Sequence, residues 1–180
     1  MRSGRPARRP RTVADPDSVE DAYQEATRRL ARQPQSRAML AERLRVSGFS
    51  PAAVAGALER AEADGYINDR EYAESIVRRR ARSRGSAMIA QELRAKGIAE
   101  AAADPALAQV DADAELEHAL RIGRSLLHGR RPADGQALLT YLAPRLARRG
   151  FASGQVYRVC RLLAAEWQAS GSFDTLLEPN

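Results

Sequence analysis

The feature that most narrows the possible folds is a helix stop written three times. Residues 38–49 read AMLAERLRVSGF, residues 87–98 read AMIAQELRAKGI, and residues 137–151 read ALLTYLAPRLARRGF. The first two align without a gap at an offset of 49, and the third keeps the same skeleton 53 residues after the second. Each copy has an apolar pair at i and i+4 (Leu40 and Leu44, Ile89 and Leu93, Leu142 and Leu146). A glycine follows four residues on (Gly48, Gly97, Gly150), and then a large apolar residue (Phe49, Ile98, Phe151). Glycine just past a helix takes the left-handed conformation without a Cβ clash, and the apolar residue after it folds back on the last turn. A period near 50 accommodates one three-helix unit per repeat, so the chain reads as a tandem array that buries its core between units.

Local signals agree. Ser18 is placed to cap a helix with Val19, Ala22, Tyr23, Ala26 and Leu30 on its apolar side, closed by Pro34. Leu40, Ala41 and Leu44 mark a second helix. Ser50-Pro51 is an N-cap followed by proline at N1, and opens a third helix with Val54, Leu58 and Ala61, ended by Gly65. Asn68 caps a fourth helix, with Glu71 in capping-box position; its core side is Tyr72, Ala73, Ile76 and Val77, and Gly85 ends it. No run alternates apolar and polar residues over a strand length, so the fold class is all-α: an elongated array of three three-helix repeats. The boundaries fall at 18–66, 67–112 and 113–168, with an Arg- and Pro-rich tail over 1–17 and a second tail over 169–180. Two prolines strain the pattern. Asp104-Pro105 predicts either a late-starting or a broken helix, with Leu107 and Val110 as its bulky core residues. Pro144 predicts a kink or a late start.

Of 180 residues, 29 are basic and 23 acidic, a net charge of +6. The charge is unevenly placed: residues 1–14 hold five arginines and no acid. Residues 78–96 hold seven basic side chains and one acid, 99–118 six acids and no Lys or Arg, and 121–161 nine arginines and one acid. The acidic stretch reads either as a partner surface or as a counterweight to the 78–96 block. The 1–14 head reads as disordered, with affinity for DNA through counterion release. A lone Cys160 excludes a disulfide framework and fits a reducing cytoplasm. No apolar run approaches a membrane span, and the N-terminus lacks the apolar stretch of a secretory signal. His118 and His128 have no partner at ligand spacing and read as surface or cap residues, so no metal or cofactor is implied. With no phosphate-binding glycine loop, nucleophile elbow or paired catalytic carboxylates, the chain does not read as an enzyme.

The stretch GYINDREYAESIVRRR followed by GSAMIAQELRAKGI resembles the core of the RecX family of bacterial RecA regulators. The matching residues are Gly65, Tyr66, Ile67, Asp69, Tyr72, Ala73, Val77, Arg78 and Arg80, then Gly85, Ile89, Glu92, Leu93, Lys96, Gly97 and Ile98. Three tandem three-helix repeats over 20–168 also fit that family's plan. The resemblance implies a protein that lies along the groove of the RecA filament on single-stranded DNA. There it inhibits ATP hydrolysis, strand exchange and coprotease activity, and binds bare DNA weakly.

The expected RecA- and DNA-binding residues are Arg78, Arg79, Arg80, Arg82 and Arg84, joined by Arg94 and Lys96, and Arg145, Arg148 and Arg149 in the third repeat. At 100° per residue five arginines cannot share one helix face. Arg78, Arg82 and Arg79 are expected to project together, while Arg80 runs its stem along the core boundary. Arg145, Arg148 and Arg149 also suit the carbonyl end of a helix dipole. Tyr66, Tyr72, Tyr141 and Tyr157 read as core, leaving no surface aromatic run for single-strand binding. Cys160, Tyr157, Leu163, Ala164 and Trp167 read as one apolar face with a buried, inert thiol. The partners expected are the RecA filament and its single-stranded DNA, bound by a cytoplasmic monomer. Two other readings stay open: a stand-alone helix-turn-helix-like DNA-binding regulator, and a helical scaffold with only protein partners.

Overall fold

The structure, a computed structural model, describes residues 13–169, so the arginines of the 1–12 head and the 170–180 tail lie outside the described residues. The described residues form nine helices and no strand. They are α1 (Val19–Leu30), α2 (Arg37–Val46), α3 (Pro51–Ala63), α4 (Asp69–Arg80), α5 (Ser86–Ala95), α6 (Glu100–Leu107), α7 (Ala112–Leu127), α8 (Gly135–Ala147) and α9 (Ser153–Ala169). The chain is therefore an all-helical array of three-helix repeats. It divides into two compact units, one of residues 13–72 with Lys96–Ile98 and one of Ala73–Ala95 with 99–169.

In the first unit the caps signalled by Ser18, Ser50 and Asn68 form, and Ser36, which the sequence does not single out, caps α2 as well. Ser18 accepts from the Asp21 N–H, Ser36 from Met39, and Ser50 from Ala53, with Pro51 at N1. Asn68 Oδ1 accepts the Glu71 N–H at 3.1 Å. Leu40, Leu44, Val54, Leu58 and Ala61 close the core with Ala22 and Ala26. Val19, expected on the apolar side, is 40% exposed. At the outer seam of α1 and α3, the Tyr23 hydroxyl donates to Asp64 at 2.6 Å, and Arg60 lies 4.0 Å above the Tyr23 ring while pairing with Glu20.

In the second unit, α7, α8 and α9 enclose a core of Leu116, Ala119, Leu138, Leu142, Leu146, Phe151, Val159 and Leu163. Each unit thus holds one buried cluster, the first built on α1, α2 and α3 with Ile67 and the second on α7, α8 and α9. Three expectations about helix ends also change. The fourth helix stops at Arg80, five residues before Gly85. Neither proline breaks or delays its helix: α6 begins at Glu100 and runs through Pro105, and α8 begins at Gly135 and runs through Pro144. Each proline lacks the N–H that would reach the carbonyl four residues back. Pro105 and Ala101 are exposed, as are Pro144 and Thr140, so the freed carbonyls sit on the solvent side. The buried residues of α6 are Ala103 and Ala106, whereas Leu107 and Val110 are only half-buried.

The three helix stops form as expected. Gly48, Gly97 and Gly150 have φ of +102°, +69° and +85°. At the first, the Gly48 N–H bonds to the Arg45 carbonyl and the Phe49 N–H to that of Leu44; Gly150 and Phe151 repeat both bonds. These are the paired bonds of a Schellman stop.

The stops also have a second use. Within the first unit, the Ser36 hydroxyl at the start of α2 donates to the Lys96 carbonyl, and a Cβ on Gly97 would stand 2.5 Å from Ala38 Cβ. Within the second unit the same register recurs 49 residues on. The Gly85 N–H donates to the Arg149 carbonyl at 2.8 Å, the Ala87 N–H donates to Gly150 at 3.2 Å, and Gly150 abuts Met88. In both places the start of one repeat's second helix seats on the stop that ends the next repeat's second helix. Gly85, expected as a helix terminator, is a joint residue instead.

Candidate functional site

The basic block 78–96 begins in the last turn of α4, where Arg78, Arg79 and Arg80 follow the buried Ile76 and Val77. Its members have unequal partners. Arg80 grips Glu92 through a two-pronged fork, Nε to Oε2 at 2.8 Å and Nη2 to Oε1 at 3.0 Å, and Arg84 Nη1 reaches the same carboxylate at 3.0 Å. Fork geometry fixes a guanidinium in place, so Arg80 and Arg84 brace α5 against the end of α4. Arg78 stands 3.8 Å from Glu74, a long contact on a side chain 68% exposed. Among the described residues, Arg79, Arg82 and Arg94 are exposed and pair with no acid. Lys96 lies 5.9 Å above the Tyr72 ring.

Arg78 and Arg82 line one open cleft of about 370 Å³ with Val77, Val110, Glu115 and His118. Glu115 is held by the Ser86 N–H at 2.7 Å. Arg78, Arg80 and Arg84 pair with Glu74 and Glu92, neither of which belongs to the acidic stretch 99–118. His118, expected at the surface, is only 7% exposed. Arg121 Nη2 lies 2.6 Å from its Nδ1, and burial, with Arg121 adding to it, pushes its pKa below the ordinary value. His128 caps α7, one of the two roles its spacing suggests.

In the third repeat, Arg145, Arg148 and Arg149 serve the carbonyl end of α8. Arg145 donates to Tyr141 O at 2.6 Å, Arg148 to Pro144 O at 3.2 Å, and Arg149 to Arg145 O at 2.9 Å. Tyr141 also draws in a residue the sequence does not single out, since Arg130 and Arg145 lie 4.5 Å and 3.8 Å from its ring centroid. Cys160 is buried, and burial pushes its thiol pKa up. Two tyrosines expected in the core are not there: Tyr66 is 57% and Tyr157 61% exposed. No helix among the described residues is long and apolar enough to cross a membrane.

The helix stops, the caps and the repeated joint define a class, proteins built of tandem three-helix repeats. Within it, two family models match, RecX first three-helix domain over 22–60 and RecX second three-helix domain over 68–107. The fold is similar to the crystal structure of RecX from Lactobacillus salivarius, with a TM-score of 0.76 and 22% identity over 84% of this chain and 98% of that one. It is also similar to the crystal structure of a regulatory protein RecX, with a TM-score of 0.72 and 26% identity over 79% of this chain and 72% of that one. The chain belongs to the RecX family. No curated protein matches it.

Proposed function

We propose that this protein binds the RecA–single-stranded DNA filament as a cytoplasmic monomer and restrains RecA. It would lower ATP hydrolysis, strand exchange and coprotease activity in DNA repair, recombination and the SOS response. It does so by steric and electrostatic contact without a catalytic step of its own. The repeats that make the contact are assigned to 18–66, 67–112 and 113–168. Family membership carries the reading. The uncompensated guanidinium groups of Arg79, Arg82 and Arg94, with the loosely paired Arg78, give it a chemical basis. Cations held without internal partners suit DNA phosphates or acidic groups on a filament. Arg80, Arg84, Lys96, Arg145, Arg148 and Arg149 complete the proposed binding set; apart from Lys96, each spends at least one donor on the fold itself.

The test is RecA ATPase on single-stranded DNA, with and without this protein, across a salt series. Inhibition weakens as salt rises, because exposed charges are screened. The folded double variant Arg78→Glu, Arg82→Glu needs about tenfold more protein for half-inhibition. Full inhibition by that variant removes Arg78 and Arg82 from the surface, and absence of inhibition by the parent protein refutes the function.

A further inference from the structure

Helix α9 has an outer face that the core does not use. Its buried residues are Val156, Val159, Cys160 and Leu163. At 100° per residue, Gly154, Tyr157, Arg158, Arg161, Ala165 and Gln168 gather on the opposite side, and all six are exposed. Tyr157 shows 61% of its surface, so its ring does little for the fold. Among the described residues, neither Arg158 nor Arg161 pairs with an acid, and the nearby carboxylate of Glu166 is taken by Arg124 at 2.6 Å. The face therefore presents one uncovered aromatic ring with two uncompensated guanidinium groups, one beside it and one a turn further on, and no acid among the six. At its start, a Cβ on Gly154 would meet nothing within 4 Å, which leaves the approach open.

This combination selects its ligand. A protein partner needs an apolar patch, yet Tyr157 is the single large apolar residue on this face. A duplex hides its bases in the stack and offers no flat partner for the ring. An unpaired strand offers both a base face to stack on the ring and phosphates for the arginines. We propose that this face of α9 holds single-stranded nucleic acid, with one base stacked on Tyr157 and the flanking phosphates on Arg158 and Arg161. The assignment deepens the reading above by placing a strand contact in the third repeat, but its test uses no RecA, so the two fail separately.

The experiment is fluorescence anisotropy of the full chain with labelled oligothymidylate and with an abasic oligomer of equal length and charge. The parent protein binds the thymidylate more tightly. Tyr157→Ala, at a ring 61% exposed and outside the buried core, weakens thymidylate binding about fivefold or more and erases the preference, while Tyr157→Trp retains it. Arg158→Gln and Arg161→Gln weaken both oligomers alike, each lowering the log–log salt slope by about 0.7. Equal binding of the two oligomers by the parent, or a preference that survives Tyr157→Ala, overturns the proposal.

Discussion

Three glycines, each changed to alanine, should move stability in three different ways. At Gly85 the added Cβ would lie within 2.5 Å of the Gly150 carbonyl carbon and oxygen and of the Phe151 nitrogen. These are backbone atoms just past a helix stop, and no rotamer change relieves them. Overpacking typically costs about 1–3 kcal/mol. Here it also pulls on the Gly85–Arg149 and Ala87–Gly150 hydrogen bonds, each worth about 1 kcal/mol net. The expected loss for Gly85→Ala is therefore about 3–5 kcal/mol. Gly65 has φ of +76° with nothing within 4 Å of its Cβ position, so Gly65→Ala carries backbone strain alone, about 1 kcal/mol. Gly154 has neither restriction and sits in a helix, so Gly154→Ala should stabilise by up to about 1 kcal/mol. Urea denaturation followed by far-ultraviolet circular dichroism ranks the three. In thermal melts, each kcal/mol corresponds to roughly 2–4 °C for a chain of this size. If Gly85→Ala loses no more than Gly65→Ala, the backbone joint at Gly85 is not the tight contact described.

Two further outcomes follow from buried titratable groups. Burial, with Arg121 adding to it, lowers the His118 pKa, so the unfolded chain takes up a proton near the ordinary histidine value of 6.5 while the folded one resists it. Stability should therefore fall as pH drops below about 6.5, and His118→Gln should flatten that part of the melting-temperature profile; an unchanged slope in the variant would assign the dependence to other groups. The Cys160 thiol is shielded and its pKa raised, so an aromatic disulfide reagent should react with it slowly in the native protein and rapidly in denaturant. Rapid reaction without denaturant would contradict its burial.

Local chemistry made most of the fold legible. Ser18, Ser50 and Asn68 announced their caps, and Gly48, Gly97 and Gly150 their stops, because each acts within a few residues of itself. Residues whose state depends on distant partners were not legible. The run of arginines at the end of α4 and just past it shows its charge in the sequence, but Glu92 decides that Arg80 and Arg84 are braces, while Arg82 pairs with no acid among the described residues. Residue type misled at Tyr157, an aromatic whose position is about 110° from the centre of the buried side of α9, counted at 100° per residue. At His118 the lack of partners at ligand spacing said nothing about burial. Leu116, Ala119, Gly123 and Leu127 lie along one side of α7 and His118 on another, so α7 is covered on two sides.

The joint at the helix stops has a polarity. It pairs unlike surfaces, the beginning of a second helix with the end of its successor, and so is head-to-tail rather than self-complementary. At the Gly48 stop the side chain of Val13 lies 3.8 Å from where a Cβ would stand. Because the later joint is made by peptide groups of Gly85, Ala87, Arg149 and Gly150, its geometry is set by backbone dimensions rather than by any side-chain pair. Repeats joined in this way can diverge almost everywhere else while still being stacked in the same register, and each becomes a module free to acquire its own surface chemistry.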